Sequence, residues 1–185
     1  MKKGILHAAP LMLVLTGCGT PEIVRFPADD QSAKLRYVTT AALSDFTYLR
    51  RVDRSMCPSS AQSMLIATTG TLEQSQIAMI GSSDVAQALV REFNIPASAP
   101  LTFYVAASRY PTYSCDNAGV FQPMPGRQYE LRHIVEPVTF VCIVEIDELQ
   151  QGDDGQVMRR REPSAHYFHP PKKMQDYCQE APRAN

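Results

Sequence analysis

Few residues in this chain are suited to chemistry. Of the four histidines in the 185 residues, three stand in the body of the sequence: His133, His166 and His169. His166-Tyr167-Phe168-His169 sets two imidazoles three residues apart, which on a helix would face one metal ion with His133 as a third ligand. Pro163 before the pair and Pro170-Pro171 directly after it oppose a helix. The stretch therefore reads as a docked tail whose Tyr167 and Phe168 pack on the body while both histidines face solvent, and no metal or other cofactor is expected. Ser82-Ser83-Asp84 sets serine beside aspartate, but no histidine is near in sequence, and nothing positive supports a triad assembled from distant loops. Nucleophile elbows, metalloprotease helices, phosphate loops and dinucleotide fingerprints are absent, so the chain is not read as an enzyme.

Other clusters have plainer readings. Met56, Met64, Met79, Met124, Met158 and Met174 are scattered, as core filling requires and copper handling does not. Asp147, Glu148, Asp153 and Asp154 lack the spacing of a calcium loop and suit a polar hairpin turn. Arg159-Arg160-Arg161 would be split between the two faces of a strand, giving a solvated edge that discourages strand addition.

The five cysteines bear on address as well as structure. Lys2 and Lys3 precede an apolar run over 4–15 that is too short to span a bilayer, the pattern of a secretory signal. Leu15-Thr16-Gly17-Cys18 closes that run, and these 18 residues resemble the bacterial lipoprotein signal, the lipobox. The resemblance implies that the Cys18 thiol is acylated and becomes the first residue of the mature chain. Each buried methylene contributes about 0.8 kcal/mol, so several acyl chains hold firmly where one holds marginally. Gly19, standing where the enterobacterial retention signal has Asp, implies the periplasmic face of the outer membrane. Residues 18–32, with Pro21, Pro27 and Asp29-Asp30, read as a tether.

The 168 residues from Cys18 onward suit one domain. They carry 16 basic against 19 acidic residues, which leaves no electrostatic footprint for nucleic acid. With Cys18 acylated, Cys57, Cys115, Cys142 and Cys178 are an even set in an oxidising compartment and imply two structural disulfides. No C-x-x-C pair suggests a zinc knuckle or a redox motif.

Strand patterns fall at 34–40, 46–52, 63–69, 76–80, 101–106 and 138–149, with 156–161 returning after the turn at Gly152-Asp153-Asp154-Gly155. The first two are expected to form a hairpin. Residues 82–93 read as a helix capped by Asp84, with 91–95 open to a strand reading instead, and 108–114 as a loop. Gly126 three residues before Tyr129, at a strand entrance, resembles the tyrosine corner of Greek-key β-sandwiches, in which the phenol reaches an upstream backbone group. The chain is thus expected to be mostly β: a single antiparallel, Ig-like sandwich over 33–161, with at most one short helix. Cys115 and Cys142 flank the corner and its strands and are expected to pair. That leaves Cys57 for Cys178, which would staple the proline-rich tail, 162–185, to the body.

Ile95-Pro96-Ala97, Pro100-Leu101-Thr102-Phe103, Cys115, Phe121-x-Pro123-x-x-Gly126-x-x-Tyr129 and Cys142-x-Val144 also resemble small envelope lipoproteins of proteobacteria, over about 50 of the 168 residues. That resemblance implies a fold and an address but no activity. The leading expectation is a non-enzymatic binding or structural module that is anchored in the membrane by lipid and contacts another envelope protein. A second reading is an inhibitor or immunity lipoprotein that plugs a hydrolase with 108–117. A third is metal binding by the tail histidines.

Overall fold

Alternation sets the strands. Leu35 and Tyr37 point to one side of the chain and Lys34 and Arg36 to the other, the two-residue period of an extended segment with one apolar face. The computed structural model describes residues 23–41, 46–54, 62–69, 77–84, 86, 89–109, 113–136, 138–139 and 141–180. Cys18, Cys57 and the signal segment lie outside them. The described strands are β1 (Ser32–Thr39), β2 (Phe46–Asp53), β3 (Gln62–Thr68), β4 (Val90–Pro96), β5 (Leu101–Arg109), β6 (Tyr113–Phe121), β7 (Gln128–Glu136), β8 (Val141–Gln151), β9 (Val157–Arg161) and β10 (His166–Phe168).

They form two five-stranded sheets, β4-β1-β7-β8-β9 (sheet A) and β10-β6-β5-β2-β3 (sheet B). The fold is a β-sandwich, as its alternating patterns predict. Leu35, Leu131 and Ile146 of sheet A are fully buried, as are Leu49, Phe103 and Val105 of sheet B. Phe103, Phe121 and Tyr129 run edge to face between the sheets, with centroids 6.5 and 5.2 Å apart. The chain stays in its sheet at β2–β3, β5–β6, β7–β8 and β8–β9 and changes sheet at the other connections. One pairing departs from the expected antiparallel plan, because β1 lies parallel to β7. Eighty-eight residues of chain (40–127) separate the two, so no local crossover is needed to bring them side by side.

Several local expectations are corrected. β1 and β2 do not form a hairpin, because each finds its apolar partners in a different sheet. Of the expected helix, 90–93 belong instead to β4, which pairs with β1 along its length, while 85, 87 and 88 lie outside the described residues. Tertiary pairing outweighs local helix preference there, and Asp84 binds Arg132 through both carboxylate oxygens. Residues 77–80 cross sheet A as an irregular strap, held by the Lys34 ammonium donating to the Ala78 carbonyl and Arg36 donating to that of Ile80. Of the expected loop at 108–114, residues 108–109 and 113–114 are strand, with Arg109 opposite Tyr113, and 110–112 lie outside the described residues. The expected tether is docked from Val24 onward: its N–H donates to the Leu65 carbonyl at 2.8 Å, and Phe26 packs on the core under Arg51.

The C-terminal segment is equally attached. Phe168, half-buried, meets Tyr177 of α1 (Tyr177–Glu180) edge to face at 6.1 Å, in a cluster with Val52 and Ala118 on the outside of sheet B. Cys115 on β6 and Cys142 on β8 form a disulfide across the two sheets, with Cα atoms 5.5 Å apart. Cys178 is also disulfide-bonded, and the pairing expected for it involves Cys57, outside the described residues.

Candidate functional site

A groove opens where the tail passes over sheet B. β2 turns Leu49 inward and Tyr48, Arg50 and Val52 outward; β5 and β6 add Tyr104 and Asp116 to that outer face. After β10 the chain continues as His169-Pro170-Pro171-Lys172, whose prolines hold it extended, and Tyr177 pins it back. The space between tail and sheet is about 490 Å3. Inside it, the Tyr48 hydroxyl donates to that of Tyr104 at 3.4 Å, and Tyr104 hydrogen-bonds Asp116. Burial first, then those two neighbours, push the Tyr104 phenol far above its ordinary pKa, so it stays protonated. The Arg50 guanidinium lies 5.2 Å from the Tyr48 ring centroid and donates to Ser63 Oγ at 3.1 Å.

A second constellation lies between the sheets. His133 on β7 is fully buried, its Nε2 3.2 Å from Cys115 Sγ and its Nδ1 3.4 Å from the Tyr37 hydroxyl. Asn117 Nδ2 donates to Cys142 Sγ at 2.9 Å. Burial pushes the imidazole pKa down from 6.5 to about 4, so the ring is neutral at neutral pH. Among the described residues, one group of three His, Cys, Asp or Glu side chains brings its ligand atoms within 4.8 Å of one another, and it is Cys115, His133 and Cys142.

The densest charge is structural. A register row crosses sheet A as Glu92, Arg36, Glu130, Asp147 and Arg161, one residue from each strand. Glu130 has no exposed side-chain surface and accepts from Arg36, Arg132 and Arg159 at 3.3, 3.1 and 2.9 Å. Burial pushes its carboxyl pKa up, and the guanidiniums of Arg159 and Arg132 outweigh that, leaving it below the ordinary value.

The sequence-derived candidates are dispersed. His166 and His169 are exposed along an extended course, about 10 Å apart at strand rise, and His133 is buried elsewhere. Tyr167 is 42% exposed, yet its hydroxyl accepts the Ile146 N–H of the opposite sheet at 2.8 Å. The Tyr129 hydroxyl accepts the Met124 N–H at 3.0 Å, and Gly126 between them has φ 74°, a left-handed turn that favours glycine. Asp147 belongs to the charged row while Glu148 pairs with Arg127, so the carboxylates considered for calcium are not gathered. The groove is not legible in the sequence because its residues come from distant strands. Its readable signal was the outward face of 46–52, where Tyr48 and Arg50 alternate with Leu49. For His133 the signal was its place on the Leu131 and Val135 face of one strand.

No protein-family model matches the chain, and no curated protein or solved structure matches it significantly. The class defined by fold and site is a disulfide-closed β-sandwich with a tail-roofed groove.

Proposed function

We propose that the protein is a lipid-anchored binding module of the bacterial envelope, held by acylated Cys18 at the periplasmic face of the outer membrane, with its ligand in the groove beneath the C-terminal tail. The groove carries this reading: about 490 Å3 lies within the range of small-molecule sites. Among the described residues Arg50 and Lys172 line it with one acid, Asp116, which favours a ligand with negative charge. The Tyr48 and Tyr104 rings offer flat apolar faces beside hydroxyls, which suits an anionic saccharide, free or carried on another envelope component.

Binding is favoured over catalysis. Ser63 is engaged by Arg50, and Asp116 by Ser114 and Tyr104. Among the described residues His169 hydrogen-bonds neither, whereas a nucleophile needs its base within reach. The inhibitor reading requires a projecting loop; the described residues of 108–117 are paired in β5 and β6, and 110–112 lie outside them.

The test is calorimetric titration of the detergent-purified protein with carboxylated and phosphorylated saccharides and their neutral counterparts. Binding of an anionic member, weakened at least tenfold by Arg50→Ala and by Tyr104→Ala with the melting temperature of Arg50→Ala unchanged, is the expected result. Equal binding of the neutral counterparts would refute it. Fractionation tests the anchor separately: Cys18→Ser should move the protein from membranes to the soluble fraction, and a variant that still pellets as wild type would remove the lipid from the proposal.

A further inference from the structure

We propose that the Cys115–Cys142 pair is the oxidised form of a metal site: once reduced, the two sulfurs and His133 Nε2 bind one divalent cation of the zinc class. The three donors come from β6, β7 and β8, so both sheets fix their positions. A Cys2His set is a zinc donor set, with one coordination position left for water. The ligand atoms already lie within 4.8 Å of one another. Metal–sulfur bonds of about 2.3 Å at tetrahedral angles need the sulfurs about 3.8 Å apart, an opening that side-chain rotation provides at the present 5.5 Å Cα separation.

The surroundings complete the site. A metal-bound imidazole is held through its other nitrogen, and here Tyr37 stands 3.4 Å from Nδ1. Asn117 supplies a hydrogen bond to Cys142 Sγ, which would stabilise a thiolate. A cavity of about 30 Å3 beside the two sulfurs, bordered by Val141 and Glu136, is large enough for one water. The charge also balances: a dication with two thiolates and a neutral imidazole is uncharged overall, the cheapest arrangement away from water.

The chemistry needs a dithiol reductant. Its thiolate attacks a disulfide sulfur and its second thiol resolves the mixed disulfide, so two electrons and two protons pass to Cys115 and Cys142 while the reductant closes its own disulfide. The cation then displaces both thiol protons.

The test uses the full chain in detergent, with Cys57→Ser and Cys178→Ser to remove other described or expected disulfide thiols, in oxidised form and after reduction with a phosphine. Zinc is titrated against a chromophoric chelator, and cobalt(II) reports ligand type. The reduced protein is expected to bind one zinc at least 100-fold more tightly than the oxidised protein and to show a thiolate-to-cobalt charge-transfer band. Cys142→Ser should weaken that band, His133→Gln should weaken zinc binding at least 30-fold, and Asn117→Ala about tenfold. Replacing both His166 and His169 by alanine should change nothing. Equal binding by oxidised and reduced protein, or a cobalt spectrum without thiolate character, would overturn the proposal. The cobalt spectrum of the Cys57→Ser, Cys178→Ser protein, which keeps Cys115, His133 and Cys142, decides it even if His133→Gln fails to fold.

Discussion

His133 is an imidazole sealed beside Tyr37 and Cys115, and its neutrality has a measurable consequence. Its folded-state pKa of about 4 lies below the ordinary 6.5, so between those values the unfolded chain holds the extra proton. Stability from this residue is intact above about pH 6.5 and is lost as the pH falls towards 4, by about 3 kcal/mol in all. Urea denaturation of the oxidised protein at pH 7, 5.5 and 4 should show that loss, and His133→Gln should show a shallower one. Tyr129 works differently, because its phenol answers one backbone N–H. Tyr129→Phe should cost about 1–2 kcal/mol, read from the denaturation midpoint. At this scale the sequence was informative where spacing was local. The Gly126-to-Tyr129 interval lies within one turn, whereas Cys115, His133 and Cys142 converge only through the pairing of β7 with β8 and the apposition of the sheets.

The strands are held by more than apolar faces. Arg36 is 1% exposed, and its partners Glu92 and Glu130 come from the strands on either side of β1. Glu130→Ala would leave that guanidinium with one carboxylate and would open the contacts of Arg132 and Arg159 as well. A loss of about 3 kcal/mol or more is expected in chemical denaturation, the scale of a buried pair broken on one side. Close approach matters at Gly119, where β10 lies against β6. A Cβ there would sit 2.5 Å from Phe103 Cζ and 2.9 Å from the His166 carbonyl, so Gly119→Ala should destabilise by about 1–3 kcal/mol and raise proteolysis of the tail. Most strands were legible because β-branched and aromatic residues alternate with polar ones. β4 was legible only in part: 91–95 could be read as strand, but Asp84, Ala86 and Ala88 just before it favour a helix locally, and pairing with β1 decides for strand. β10 was hidden by its flanking prolines.

Across the whole molecule, the two-sheet architecture followed from many short patterned segments, while the assignment of strands to sheets did not, because a two-residue period says which side is apolar and not which neighbour will cover it. The Cys115–Cys142 bond closes a separation of 27 residues. Reducing it should remove about 3.5 kcal/mol by chain entropy, visible as a lower melting temperature that saturating zinc partly restores. The position of β1 carries a mechanical consequence. Residues 24–26 grip sheet B at Leu65 and Arg51, and the next strand enters sheet A between β4 and β7 rather than at an edge. Tension applied through the N-terminal segment therefore meets a weak latch first, the few contacts of Val24 and Phe26. It then loads an interior strand hydrogen-bonded on both flanks, so extension should proceed in two steps. The first, small step would free only the segment before β1 while the sandwich stays folded.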